Sequence, residues 1–383
     1  MSNVSSRAIA LCLIIGVPAA MPASGQDVHS RVKEYIDREL ESNESPGIQY
    51  VVLSADSVLY SYAGGFADLA AQTALQENTT MMIYSMTKTI TAAAVLQLVE
   101  QGVLGLDDPL TVYFADHPYR EGITIRHLLS QTSGIPNPIP LRWVHLVEEH
   151  SRFDERAALQ EVLKENAELD FAPGERYGYS NISYWLLGRV IEKVSGKSVE
   201  EYFRQNIFRQ LGISPEEADC IIPSPSHHAK GYLRKWSFLN VVKSFLIDEK
   251  FIDDYEGGWL HIREHYLNGP SFGGIVASAR AVGAFLQDQL REDPRLFSKQ
   301  TRAKFFEQQK GRDGELLEMT LGWHVGENDG KGYYFKEGGG GGFHAEMRVY
   351  RSKGIATVVL ANNTSFDVKA FLNTLDPWFL GHR

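Results

Sequence analysis

The chain has 383 residues, 43% of them hydrophobic and 11% aromatic, with a formal net charge of −10 at pH 7. That supplies a large core and exceeds one average domain, so one elaborate domain or two is expected. No block of Lys and Arg offers the footprint that a phosphate backbone needs, which argues against nucleic acid as a partner.

In chain order, Arg7 precedes the apolar run "AIALCLIIGV", and Ala23-Ser24-Gly25 supplies small residues for cleavage before Gln26. This is the pattern of an export signal over residues 1–25 and implies a periplasmic or secreted protein. The run is too short for a transmembrane anchor. Cys12 follows Leu11 rather than a small residue, which argues against lipid attachment. Removal of the signal leaves Cys220 alone, so no internal disulfide is expected.

Val28, Val32, Ile36 and Leu40 then recur every four residues, predicting an amphipathic helix closed by Ser45-Pro46-Gly47. "IQYVVLS" and "VLYSYAGGFAD" predict a β-hairpin around Ala55-Asp56-Ser57. From Ser85 to about residue 300 the patterns are mainly helical, and "TAAAVLQLVEQG" and "ISYWLLGRVIEKVSG" each end in a glycine suited to a helix C-terminus. "LGWHV", "GYYFKE", "GFHAEMRVYRS" and "GIATVVLANN" predict further strands, and "DVKAFLNTLDPWFL" a closing helix. The expected fold is α+β: one antiparallel sheet drawn from about 26–84 and 301–383, flanked by terminal helices, with a mostly helical region of about 85–300 inserted.

The chemistry starts at "MMIYSMTKTITAAAVLQLVEQG". On a helix, Ser85 and Lys88 lie three positions apart on one face. A serine hydroxyl becomes a nucleophile when a neighbouring base takes its proton, and a neutral amine can be that base. Moving a lysine from its ordinary range to neutrality costs roughly 4 kcal/mol, which burial and a nearby cation can supply. Ser30 and Lys33 share the spacing on an exposed helix, so context must decide. "PGERYGYSNISYWLLG" offers Tyr179 as a proton relay and Asn181 as an amide for a substrate carbonyl. Tyr266 and Asn268 repeat that spacing. "YFKEGGGGGF" places Lys336 at a strand end, followed by glycines whose N–H groups can approach a substrate; this second cation would depress Lys88 and stabilise negative charge.

These three boxes, in this order, resemble the serine hydrolases of the penicillin-recognising superfamily: class C β-lactamases, DD-peptidases and family VIII carboxylesterases. "LGLDDPL", "ITIRHLLSQTSGIPN" and "GGIVASARAVGAFL" extend the resemblance over most of the chain. The resemblance implies a β-lactamase/DD-peptidase-like fold with Ser85 as acylated nucleophile, Lys88 as its base and Tyr179 passing the proton to the leaving group. It further implies Asn181 holding the substrate and the backbone N–H groups of Ser85 and Gly339 binding the oxyanion. No metal or organic cofactor is implied, and the partner is a small ester, amide or lactam. The third box departs from the family pattern of lysine or histidine, then serine or threonine, then glycine: here it is Lys336-Glu337-Gly338. A glutamate in that substrate-binding position would repel a carboxylate, shifting expectation from lactams and D-amino-acid peptides toward neutral esters, or toward substrates carrying an amine near the scissile bond.

Three other readings compete. Gly269-Pro270-Ser271-Phe272-Gly273 fits a G-x-S-x-G elbow, but the strand and helix this needs are poorly represented around it. His261-Ile262-Arg263-Glu264-His265 fits the zinc motif H-x-x-E-H, yet glycines and Pro270 leave scarcely two helical turns; His227-His228 reads as a solvated pair. A non-catalytic sensor with this fold is the third. Residues 232–260, rich in large apolar side chains, read as helical core or as a lid.

Overall fold

The computed structural model describes residues 25–119, 122–138 and 143–381, so the export signal read over residues 1–25 lies almost wholly outside the described residues. The amphipathic pattern at the start forms the helix Gly25–Glu41, and the two β-rich runs form Gly47–Leu53 and Val58–Asp68. Their turn closes when the Ser54 N–H donates to the Ser57 carbonyl. The chain returns to this sheet only after residue 323. An antiparallel sheet of seven strands results, in the order His324–Asn328, Lys331–Gly340, Phe343–Tyr350, Ile355–Ala361, Gly47–Leu53, Val58–Asp68, Thr73–Ala74.

Both faces of the sheet are covered, which is why Gly47–Leu53 is buried along its whole length instead of alternating. Ile48, Tyr50 and Val52 pack with Val32, Ile36 and Phe371 of the two terminal helices. Val51 and Leu53 point the other way, into the core shared with the inserted region. Gln49 also faces that side. Its buried amide donates to the carbonyls of Gln76 and Thr79 and accepts from the Ala279 N–H, tying sheet to insert.

The closing helix Val368–Leu380 contains Pro377, which cannot bond the Asn373 carbonyl; the Asn328 side chain takes that acceptor instead, at 3.2 Å. Beneath this helix Arg348, Glu346 and Asp376 are buried together, with Tyr50 and Tyr350 donating to the Asp376 carboxylate. Burial raises Asp376 to about 6 although Arg348 opposes the shift.

The inserted region is less uniformly helical than its sequence pattern. Thr87–Glu100 and Asn181–Ser195 are long helices ended by Gly102 and Gly196 in the left-handed conformation. Residues 232–260, read as helical core or lid, instead lie within a three-stranded sheet of Gly231–Arg234, Trp259–Ile262 and Ile252–Glu256 around the helix Phe238–Leu246. Gly257-Gly258 makes the two-residue turn between the last two strands in sequence. No helix among the described residues is long and apolar enough to cross a membrane.

Candidate active site

The helix Thr87–Glu100 is enclosed on every side, with residues 87–98 all buried. Just before it, Tyr84 adopts φ +42°, a conformation that costs a non-glycine residue about 1–2 kcal/mol. The tight turn Tyr84–Met86 then presents Ser85 as the partly exposed residue in an otherwise buried segment. One turn on, Lys88 is completely buried.

Lys88 Nζ lies 3.0 Å from Ser85 Oγ and 2.6 Å from both Asn181 Oδ1 and the Phe272 carbonyl oxygen. The two short contacts are to obligate acceptors. A neutral amine therefore directs its two N–H bonds at them and leaves its lone pair facing the serine hydroxyl. Burial first, and then the charge of Lys336, hold Lys88 well below the ordinary lysine range. Ser85 Oγ also lies 2.7 Å from the Tyr179 hydroxyl, whose own proton is retained because burial pushes the phenol up. The ring of Tyr179 stands between two amines, with Lys88 Nζ 4.9 Å and Lys336 Nζ 5.0 Å from its centre. Lys336 is buried and its Nζ has no hydrogen-bond partner among the described residues. Burial lowers it to about 7, with Glu337 opposing.

Asn181 is set by the start of its helix, where the Ser180 hydroxyl accepts from the Ser183 N–H. Asn137 Oδ1 accepts from both the backbone N–H and the side-chain amide of Asn181, which orients its carbonyl oxygen toward Lys88. Part of the amide expected for the substrate is thus engaged in holding the lysine. The Phe272 carbonyl and Asn137 are site components that the sequence pattern did not reveal.

The strand Lys331–Gly340 brings the third box to the serine. Its neighbour His324–Asn328 ends opposite Phe335, so beyond that residue the strand has one unpaired edge among the described residues. Gly338 faces the Ser85 turn so closely that a Cβ there would lie 2.1 Å from the Ile83 carbonyl oxygen. A Cβ on Gly339 would point the other way, toward the His344 ring. The same alternation corrects the expectation for Glu337: the pleat turns it to the face opposite Lys336. There Glu337 Oε1 accepts from His344 Nε2 at 2.7 Å, and His344 Nδ1 donates to the Phe366 carbonyl. Two acceptors require two ring protons, so Glu337 neutralises an imidazolium rather than confronting the pocket.

The competing sites separate from this cluster. Ser271 is buried in the short helix Pro270–Gly273 against Gly188, its hydroxyl unpartnered among the described residues and without a histidine. The pentapeptide serves Lys88 and Thr91 through its carbonyls instead. The H-x-x-E-H stretch is not helical: His261 lies on Trp259–Ile262 facing Asp253, whereas His265 lies on His265–Leu267 facing Tyr84. His228 is not solvated as a pair with His227; its Nδ1 meets the Thr80 hydroxyl.

A family model described as Beta-lactamase matches residues 32–375. The chain is 27% identical over 330 residues to penicillin-binding protein 4* of Bacillus subtilis (strain 168), covering 83% of this chain and 68% of that protein. Among solved structures it is similar to the D-amino acid amidase from Ochrobactrum anthropi SV3 complexed with L-phenylalanine amide, at 18% identity and TM-score 0.77 over 92% of this chain and 99% of the other. It is also similar to EstCE1, a hydrolase with promiscuous acyltransferase activity, at 18% identity and TM-score 0.70 over 93% and 99%. At such identities the structures establish the shared fold, while the family model spans nearly all of the described chain. The chain therefore belongs to the Beta-lactamase family, within the penicillin-recognising serine hydrolase superfamily.

Proposed function

We propose that this protein is a serine hydrolase that forms an acyl-enzyme at Ser85 and acts on small esters or amides. The observation that carries the reading is the suspension of Ser85 Oγ between Lys88 Nζ at 3.0 Å and the Tyr179 hydroxyl at 2.7 Å. Neutral Lys88 accepts the serine proton as Oγ attacks the carbonyl carbon. The backbone N–H groups of Ser85 and Gly339 receive the developing oxyanion, assisted by the helix N-terminus. Tyr179 then donates its proton to the leaving group and is reprotonated from Lys88. Burial and then the charge of Lys336 hold Lys88 low, and Asn181 orients Lys88 while its remaining amide hydrogen serves the substrate.

A second reading, hydrolysis of a lactam ring or a D-amino-acid amide, is supported by the penicillin-binding protein and amidase among the relatives. The pairing of Glu337 with His344 weakens the repulsion that favoured esters. Hydrolysis of a nitrophenyl ester and a chromogenic cephalosporin by wild type and Ser85→Ala separates the readings. Ester turnover abolished in the variant, with little cephalosporin turnover, is expected; turnover surviving in Ser85→Ala refutes both. Residues 26–383 are proposed to act as one exported hydrolase unit, for which a secreted N-terminus at Gln26 is the check.

The charge of Lys336 gives a pH signature. Because it lowers Lys88, Lys336→Met lets Lys88 rise, and the acid limb of kcat/KM moves to higher pH. An unmoved limb removes Lys336 from this role.

A further inference from the structure

The glycine run opens beyond Gly339 into a cavity of about 110 Å³. Its walls are Val144, Ile247, Phe251, Ile262 and Leu267, drawn from segments far apart in sequence. Among the described residues, the only polar side chains lining it are Tyr84 and His265, and both are committed to the backbone. Tyr84 donates to the Gly341 carbonyl at 2.6 Å and lies 3.2 Å from His265 Nε2, while His265 Nδ1 donates to the Arg263 carbonyl. Among the described residues, no charged side chain lines the cavity.

Its position along the strand determines which half of a substrate it meets. Tyr179, the proposed donor to the leaving group, lies beside Lys336 at one end of the glycine run. The cavity lies at the other end, against residues 339–341, with the Tyr84 ring over Gly340 and Gly339 common to the cavity and the proposed oxyanion hole. A carbonyl carbon at Ser85 with its oxygen toward Gly339 thus sends the leaving group toward Tyr179 and the acyl group into the cavity. Gly341 keeps the entrance open: a Cβ there would press on Ile262 and His265 at 3.3 Å.

We infer that this cavity is the acyl pocket and that the protein selects substrates with an uncharged, apolar acyl group. An apolar cavity of about 150 Å³ holds a benzene molecule, so this smaller one suits about three to five carbons beyond the carbonyl. A carboxylate or ammonium on that group would be desolvated with no counter-charge among the described residues. The inference rests on acylation of Ser85.

The test is kcat/KM for nitrophenyl esters from acetyl to octanoyl, measured on wild type, Ser85→Ala, Val144→Phe and Ile247→Ala, together with fluorophosphonate labelling of each protein. Wild type is expected to prefer butyryl to hexanoyl esters over acetyl, gaining about fourfold for each methylene that the pocket accommodates. Val144→Phe, which fills the pocket, lowers the hexanoyl-to-acetyl ratio at least tenfold, and Ile247→Ala moves the optimum to longer chains. Because the two variants act in opposite directions, loss of one to misfolding leaves the other decisive. Ser85-dependent turnover with a flat chain-length profile, or one unmoved in the folded variants, overturns the pocket assignment alone. Absence of Ser85-dependent labelling and turnover overturns the nucleophile reading and the pocket with it.

Discussion

Lys88→Met lowers kcat on any hydrolysed ester by about a thousand- to a hundred-thousand-fold, the loss expected when a nucleophile is deprived of its base. Methionine nearly fills the space of the buried side chain, so the enclosed helix keeps its packing. What disappears is the lone pair facing Ser85 Oγ and the link joining Asn181 to the Phe272 carbonyl. The rate of Ser85 acylation by a fluorophosphonate should fall in parallel. A variant that is acylated at the wild-type rate shows that Lys88 is structural. One that melts far below wild type shows that the lysine holds the site together more than it activates the serine.

The second large effect concerns stability. Arg348→Met leaves Glu346 and Asp376 buried without their cation, and breaking such a buried pair costs about 3–5 kcal/mol. Burial already raises Asp376 from 3.8 to about 6, and removing Arg348 raises it further. The sign follows from linkage: an acid raised in the folded state favours folding below its unfolded value, and that contribution is lost as pH rises through the folded value. The variant's deficit is therefore small near pH 4 and full at pH 8. Denaturant titrations at the two pH values measure it; an equal deficit at both would mean that lost packing, not the unpaired carboxylates, weakens the fold.

Much of this architecture is legible in the residues. The hairpin runs are rich in β-branched and aromatic side chains, and Val58–Asp68 covers the quoted run from end to end. The helix after Ser85 is legible because an almost wholly apolar run of that length needs burial on all sides. The small sheet at 231–262 is not, since its strands are four or five residues long and spacing there also fits a helical turn. Gly257-Gly258 was a hairpin signal that reads equally as a helix stop. The face of Glu337 could follow from the pleat only once the register within five glycines was fixed. Phe272 contributes a carbonyl that every residue possesses, so no residue type could have announced it.

The reading turns on whether Ser85 becomes covalently acylated. The most direct measurement is peptide mapping by mass spectrometry after rapid acid quench of the protein during turnover of a slow nitrophenyl ester. The expected result is one acyl group, carried by the peptide containing Ser85 and absent from Ser85→Ala. Acylation of the peptide containing Ser271, or turnover of the ester with Ser85 unmodified and replaceable, would contradict it.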